Sequence, residues 1–167
     1  MIVVLSDTHA RQQPQLDSHL RSAIEAAELV IHAGDFTTAP VYSYFEGLAE
    51  ELVAVTGNRD RSPLREKLPA ETTTTQGELT LTVVHGHRHD DTSLSMLGRQ
   101  EGADVLVTGH SHKPVIERMG EQLLLNPGSH ADPRGNQPAY ATIEQEDETT
   151  TISLKTPAGE RLEAKTI

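Results

Sequence analysis

Five short polar motifs in this chain carry groups that bind metals or move protons: Asp7-Thr8-His9, Gly34-Asp35, Gly57-Asn58-Arg59-Asp60, His85-Gly86-His87 and Gly109-His110-Ser111-His112. Each follows a short apolar run that reads as a β-strand. The polar groups therefore fall at strand C-terminal ends, where open α/β sheets place their ligands. Asp7 and His9, like His110 and His112, are spaced i and i+2, so each pair faces one side if the extended backbone persists. Asp35 and Asn58 each follow a Gly, which permits unusual backbone angles. Such a set suits two-metal hydrolysis. Two cations about 3.5–4 Å apart need a carboxylate bridge and a water or hydroxide between them as nucleophile. Taken singly the motifs are weak: an Asp-x-His after a strand is commonly a cap or turn, and Gly-Asp alone says almost nothing. Five of them in order at five strand ends are specific, and predict metal binding.

The bulk properties narrow the chemistry. The chain has 167 residues, which fits one domain over 1–167 with a core that needs no staples. It has no Cys, which excludes disulfides, thiolate catalysis and thiolate zinc sites. A metal must then be held by His, Asp, Glu and Asn, a set suited to Mn, Fe, Zn, Ni or Mg. No apolar stretch is long enough to span a bilayer. Met1–Leu5 lacks a basic leader and runs at once into Ser6-Asp7, so it reads as a buried strand and the expected location is cytoplasmic. The formal net charge of −11 disfavours stable binding to nucleic acid, which needs basic surface. That acidity fits either a halophilic host or an ordinary acidic protein. Loss of secondary structure below molar salt would mark the first, and full stability in dilute buffer the second.

The elements that must position these groups follow from periodicity. Ile2–Leu5, Leu29–Ala33 and Leu52–Val55 read as buried strands. Between them lie a helix through Leu16, Leu20, Ile24 and Ala27, starting near Pro14, and a helix over Pro40–Leu48. This β-α-β-α-β order predicts a mainly parallel sheet with crossover helices. Pro63–Leu68 reads as a brief helix, Thr72–Gln76 and Leu79–Val84 as a hairpin, and Leu94–Gln100 as a helix stopped at Gly102. Val105–Thr108 is a strand, and Val115–Met119 with Leu123–Leu125 a hairpin leading into the turn Asn126-Pro127-Gly128-Ser129. Ala139–Glu144 and Thr149–Leu154 alternate as strands around an acidic tip, Glu146-Asp147-Glu148. Arg161–Lys165 is one more strand or a loose tail. The fold class is an α/β layered sandwich, with a parallel half followed by a hairpin-rich half.

On these motifs, with Asn126-Pro127-Gly128-Ser129 downstream, the chain resembles the calcineurin-like metallophosphoesterases, and most closely their small single-domain prokaryotic phosphodiesterase branch. The resemblance covers positions 7 to 129, with the remaining strands assigned to the family's second sheet. It implies an α/β/β/α sandwich of two mixed sheets flanked by helices. It also implies a division of labour in which Asp7, His9 and His112 hold one metal, Asn58, His85 and His110 a second, and Asp35 bridges them. A hydroxide between the cations would attack phosphorus in line with the leaving oxygen. Mn is the metal to try first, with Zn, Fe and Ni open. Implied partners are a small phosphate ester and no membrane, and a homo-oligomer is compatible with the resemblance.

One position departs from the larger family members, which often read Gly-Asn-His-Asp or Gly-Asn-His-Glu and use that His to assist the leaving group. Here it is Arg59. Arg stays protonated and is a poor general acid, but is shaped to clamp a phosphate oxygen. The small branch commonly lacks this His. Activity is then expected to lean toward low-pKa leaving groups. Asn58 is a further candidate contact to a phosphate oxygen, and His87 a candidate leaving-group acid or substrate contact.

The other histidines have blander readings. His32 reads as a core or supporting residue, His89 with Asp90 and Asp91 as loop surface, and His19 as exposed helix; His130 follows the Asn126–Ser129 turn near a possible rim. Asp60 reads as a hydrogen-bonding organiser of its loop. No Gly-x-Ser-x-Gly elbow or phosphate-binding Gly-rich loop is present, and a barrel hydrolase would need about 250 residues. Two functional classes remain: a metal-dependent phosphoesterase, and a scaffold like the eukaryotic retromer subunit that keeps this fold for protein interaction. The complete ligand set favours the enzyme.

Overall fold

Alternation of side chains between two cores along the first strand sets the layers. In the computed structural model, which describes residues 1–146 and 149–167, Ile2–Leu5 forms β1 with every side chain buried. Ile2 and Val4 face a core between two sheets, and Val3 and Leu5 a core beneath helices. The first sheet continues with β2 (Leu29–His32) and β3 (Leu52–Ala54), parallel to β1. On the other side of β1 it adds β9 (Tyr140–Glu146), β10 (Thr149–Lys155) and β11 (Arg161–Thr166), each antiparallel to the strand before it in the sheet. The second sheet has the order β4 (Glu71–Gln76), β5 (Leu79–Val84), β6 (Val105–Val107), β8 (Gln122–Pro127), β7 (Pro114–Met119).

Three helices cover the outer faces. Helix α1 (Ser18–Glu25) and α2 (Ala39–Leu48) press Leu20, Ile24, Val41 and Phe45 onto the first sheet. Helix α4 (Asp91–Glu101) presses Leu94 onto Val84 and Leu106 of the second. A short α3 (Leu64–Lys67) follows β3. The result is the expected α/β/β/α sandwich of two mixed sheets.

Several boundaries and one assignment differ from expectation. Helix α1 starts at Ser18 rather than near Pro14, because the Asp17 carboxylate accepts the His19 N–H at 2.8 Å and caps it there. Asp90 and Asp91 belong to a helix start, not to loop surface: Asp90 and Ser93 form a reciprocal capping box. Strand β8 runs through Asn126-Pro127, so the turn begins only at Gly128. The strands after position 129 return to the first sheet beside β1, rather than to the second. Parallel pairing is also not confined to the first half, since β5, β6 and β8 are parallel. Arg161–Thr166 is a paired strand, not a tail. Of the expected acidic tip, Asp147 and Glu148 lie outside the described residues.

Register aligns the strand ends that carry the motifs. Leu5 pairs with His32 and His32 with Ala54 across the first sheet, and Val83, Val107 and Leu125 lie in line across the second. The five motif loops thus leave one rim shared by the two sheets.

Candidate metal centre

The loops after the strands do not stay extended. Asp7, His9, Asp35, His110 and His112 have φ of 54°, 47°, 61°, 65° and 59°. For a residue with a Cβ this left-handed region costs about 1–2 kcal/mol, and such strain gathers at functional sites. The i and i+2 pairs therefore converge through tight left-handed turns, in place of the extended backbone expected. The turns are held by Asp7 N–H to Gly34 O and His9 N–H to Asp35 O, each 3.0 Å, and by Ser111 N–H to Gly109 O at 2.7 Å.

All seven residues singled out as metal donors meet at this rim. Around Asp7, its Oδ1 lies 3.5 Å from His9 Nε2 and 3.3 Å from His112 Nε2, and the two Nε2 atoms are 3.2 Å apart. Asp7 Oδ2 accepts Ser6 Oγ–H at 2.7 Å and the His110 N–H at 2.9 Å. Asp7 Oδ1 is buried and, among the described residues, has no hydrogen-bond partner. Around Asn58, its Oδ1 lies 3.1 Å from both His85 Nε2 and His110 Nδ1. Asp35 stands between the two groups, with Oδ2 3.5 Å from His9 Nε2 and 3.4 Å from His85 Nε2.

Backbone carbonyls set the imidazole tautomers. A carbonyl can only accept, so His85 Nδ1–H donates to Ala33 O at 2.7 Å, and His112 Nδ1–H donates to Asp132 O. In the neutral rings each Nε2 then carries a lone pair aimed into the centre. This is how metal-binding histidines are usually oriented. An orphaned carboxylate oxygen, an amide oxygen and converging ring nitrogens make a donor set suited to divalent cations.

Supporting residues fix this geometry. Asp60 is buried and accepts N–H bonds from Asp35 (3.0 Å), Thr37 (2.7 Å) and Gly57 (2.7 Å). A Cβ on Gly57 would stand 2.2 Å from Asp35 Oδ1, so this Gly is required for close approach rather than for its backbone angle. Sequence reasoning missed Ser6 and Asp132 as supports, and saw Ser129 only as part of a turn motif. Ser129 Oγ–H donates to Asp7 O at 2.8 Å. Asn126 was visible only as part of a turn motif; its Nδ2 donates to Gly109 O at 2.7 Å and holds the His110 loop.

The electrostatics reflect crowding of charge. Burial pushes the Asp35 carboxyl up, but the His85 imidazole and the Arg59 N–H outweigh it and hold Asp35 below the carboxylate range. Burial pulls His85 down, yet the Asp35 and Asp7 carboxylates raise it. Burial, then neighbouring His85, lowers both His87 and His110.

His87 is half-buried, its ring centroid 5.4 Å from that of His85 and 6.1 Å from that of His110. His89, expected on loop surface, is instead half-buried and lines a cleft together with His85 and His87. His32 is fully buried, stacked on Phe36 at 3.7 Å. Its Nε2 and that of His130 lie 2.9 and 3.2 Å from Thr8 Oγ1. His130 thus supports the loop of Asp7 from behind. His19 is exposed on α1. The Arg59 side chain lines a cleft beside His9 and Asn58.

Residues 1–148 match the family model of the calcineurin-like phosphoesterase superfamily domain. The chain belongs to this superfamily. It is 34% identical over 152 residues to a "probable metallophosphoesterase" of Methanothermobacter thermautotrophicus, covering 86% of this chain and 84% of the relative. It is 32% identical over 143 residues to a phosphodiesterase of Methanocaldococcus jannaschii, covering 76% and 82%. Among solved structures, a Streptococcus pneumoniae protein described as a "predicted phosphoesterase" superposes with a TM-score of 0.79 at 26% identity, over 99% of this chain and 95% of that one. A zinc-complexed Vps29 of Entamoeba histolytica superposes equally, TM-score 0.79, at 23% identity over 99% and 97%, which shows a shared fold. The family binds divalent metals, and this chain presents candidate donors for them. Among the described residues, no helix is long and apolar enough to cross a membrane.

Proposed function

We propose that this protein is a metal-dependent phosphodiesterase acting on a small phosphate ester. The observation that carries the reading is Asp35, whose Oδ2 faces His9 on one side and His85 on the other at 3.5 and 3.4 Å. In this reading Asp7, His9 and His112 would hold one cation, Asn58, His85 and His110 would hold the other, and Asp35 would serve both. When bound, the cations would supply an attacking hydroxide and neutralise charge developing on phosphorus. Mn suits this N/O set as the first metal to test.

The chain's own groups do the rest. Asn58 and the Arg59 guanidinium hold phosphate oxygens. His87 lines the cleft beside His85 and is the candidate donor to the leaving oxygen; burial lowers its pKa and favours the neutral ring, a poor acid, so leaving groups that need little protonation should react fastest. Hydrolysis of a diester would cleave the bond from phosphorus to the leaving oxygen and give a monoester and an alcohol, the latter protonated by His87 or by water. The scaffold reading rests on likeness of fold to Vps29, while the complete, converging donor set supports the enzyme.

The test is hydrolysis of bis(p-nitrophenyl) phosphate with added Mn. Asp35→Asn should lower kcat by roughly 100-fold or more, with the circular dichroism spectrum unchanged. Full activity in Asp35→Asn would refute the two-metal reading. Metal binding without hydrolysis by the native protein would favour the scaffold.

A further inference from the structure

Positive charge is not spread evenly over this acidic protein. Five of its ten arginines, Arg11, Arg59, Arg61, Arg65 and Arg134, line one cleft of about 640 Å³, in a chain of formal net charge −11. His9 and Asn58 form its inner wall, so the cleft opens directly from the metal centre.

The carboxylates in the cleft do not neutralise this cluster. Asp60 is buried and its oxygens accept three backbone N–H groups. Asp132 pairs with Arg134 at 3.2 Å. Arg65 donates one N–H to Asn58 O at 2.6 Å. Among the described residues, the side chains of Arg11, Arg59 and Arg61 have no hydrogen-bond or ion-pair partner. Exposed arginines are ordinarily solvated or matched by nearby acids. Three unmatched guanidinium groups around one concavity form instead a set of forks shaped for phosphate oxygens.

A second cleft, of about 790 Å³, also borders Asn58 and is lined by Leu68, Ala70 and Val84 together with His87, with Glu71 and Arg88 as opposite charges. The centre is thus bordered by one cleft with an apolar wall of Leu68, Ala70 and Val84 and by one strongly cationic cleft, which share Asn58 and Arg65. A diester seated at the centre has two arms, and these surroundings suit two unlike arms.

We propose that the arginine cleft is a second anion site, and that the preferred substrate is a phosphodiester bearing one further phosphate group on the arm beside His9. The other, less polar arm lies toward Val84 and His87. This deepens the phosphodiesterase reading and rests on it for the position of the scissile phosphate. The local cationic field offsets the repulsion that the whole acidic chain imposes on a polyanion.

The dinucleotides ApA and pApA differ by one terminal phosphate and provide the probe. Equilibrium binding to metal-free protein, where no hydrolysis occurs, should favour pApA at least tenfold. The preference should narrow as NaCl rises from about 0.05 to about 0.5 M, because the arginines are exposed. In Arg11→Ala/Arg61→Ala the ratio of the two affinities should fall toward one. Equal binding of both dinucleotides by the native protein, or a preference that survives the double substitution, would overturn the proposal. Hydrolysis of bis(p-nitrophenyl) phosphate by the Mn-loaded native protein reports separately on the underlying activity. A preference for pApA without that hydrolysis keeps the anion site and removes the phosphodiesterase.

Discussion

Asp60 shows how much of a reactive centre depends on a residue that touches nothing reactive. Its two oxygens take three N–H groups from the loops of Asp35 and Asn58, and burial raises its pKa. Asp60→Ala strands those donors, at about 1–3 kcal/mol each where no water replaces them. Urea unfolding of Asp60→Ala should show a loss of roughly 3 kcal/mol or more, with Asp60→Asn falling between it and the native protein. A loss below about 1 kcal/mol would mean that the loops hold their shape without it. His130 has a separate consequence. Burial brings its imidazole down to about 4, against about 6.5 in an unfolded chain. Between these values the unfolded state binds the proton and the folded state does not. The stability is therefore fully present above about pH 6.5 and is lost as pH falls toward 4. Part of the residue reaches solvent, so the loss stays below the full value of about 3 kcal/mol. His130→Gln should flatten the stability–pH curve over that interval relative to the native protein, and identical slopes would rule out this account.

At the scale of elements, strands aim the loops and the loops then bend sharply. The apolar runs marked β1, β2, β3, β5 and β6, and the polar residues after them announced which loops mattered. Periodicity located these strands because side chains alternate between the two cores. The left-handed turns at Asp7, His9, Asp35, His110 and His112 were not legible, since Asp and His adopt that region only when surrounding structure enforces it. Close approach was equally hidden. Gly57 reads as a turn residue, but its missing Cβ is what admits the Asp35 carboxylate. Gly57→Ala should displace that carboxylate, weaken Mn binding at least tenfold in calorimetric titration, and cost about 1–3 kcal/mol of stability. Unchanged metal affinity would show that the loop adjusts freely.

Over the whole molecule, the centre gathers like charges that folding alone leaves opposed. Asp7 and Asp35 are buried beside one another's imidazole partners, and Asp7 Oδ1 has no partner among the described residues. Cations binding only the folded state add stability by mass action, about 2.7 kcal/mol at a hundredfold excess over Kd. For a chain of this size that raises Tm by roughly 5–10 °C. Differential scanning calorimetry with Mn and then with a chelator should show the rise and its reversal, and Asp35→Asn should reduce it. No shift on adding Mn, Zn, Fe or Ni would count against a cation site at the rim.

The sequence by itself determined the order of strands and helices, the two-sided burial of β1 and the donor types at five strand ends, because these are local patterns of apolar and polar residues. Tertiary structure decided what lies far apart in the chain. It sent β9–β11 back to the first sheet and set Ala33 O and Asp132 O against His85 and His112. It also gathered Arg11, Arg59, Arg61, Arg65 and Arg134 around one cleft. Those contacts join segments separated by tens of residues, and no local pattern encodes which surfaces two packed sheets will bring to a common rim.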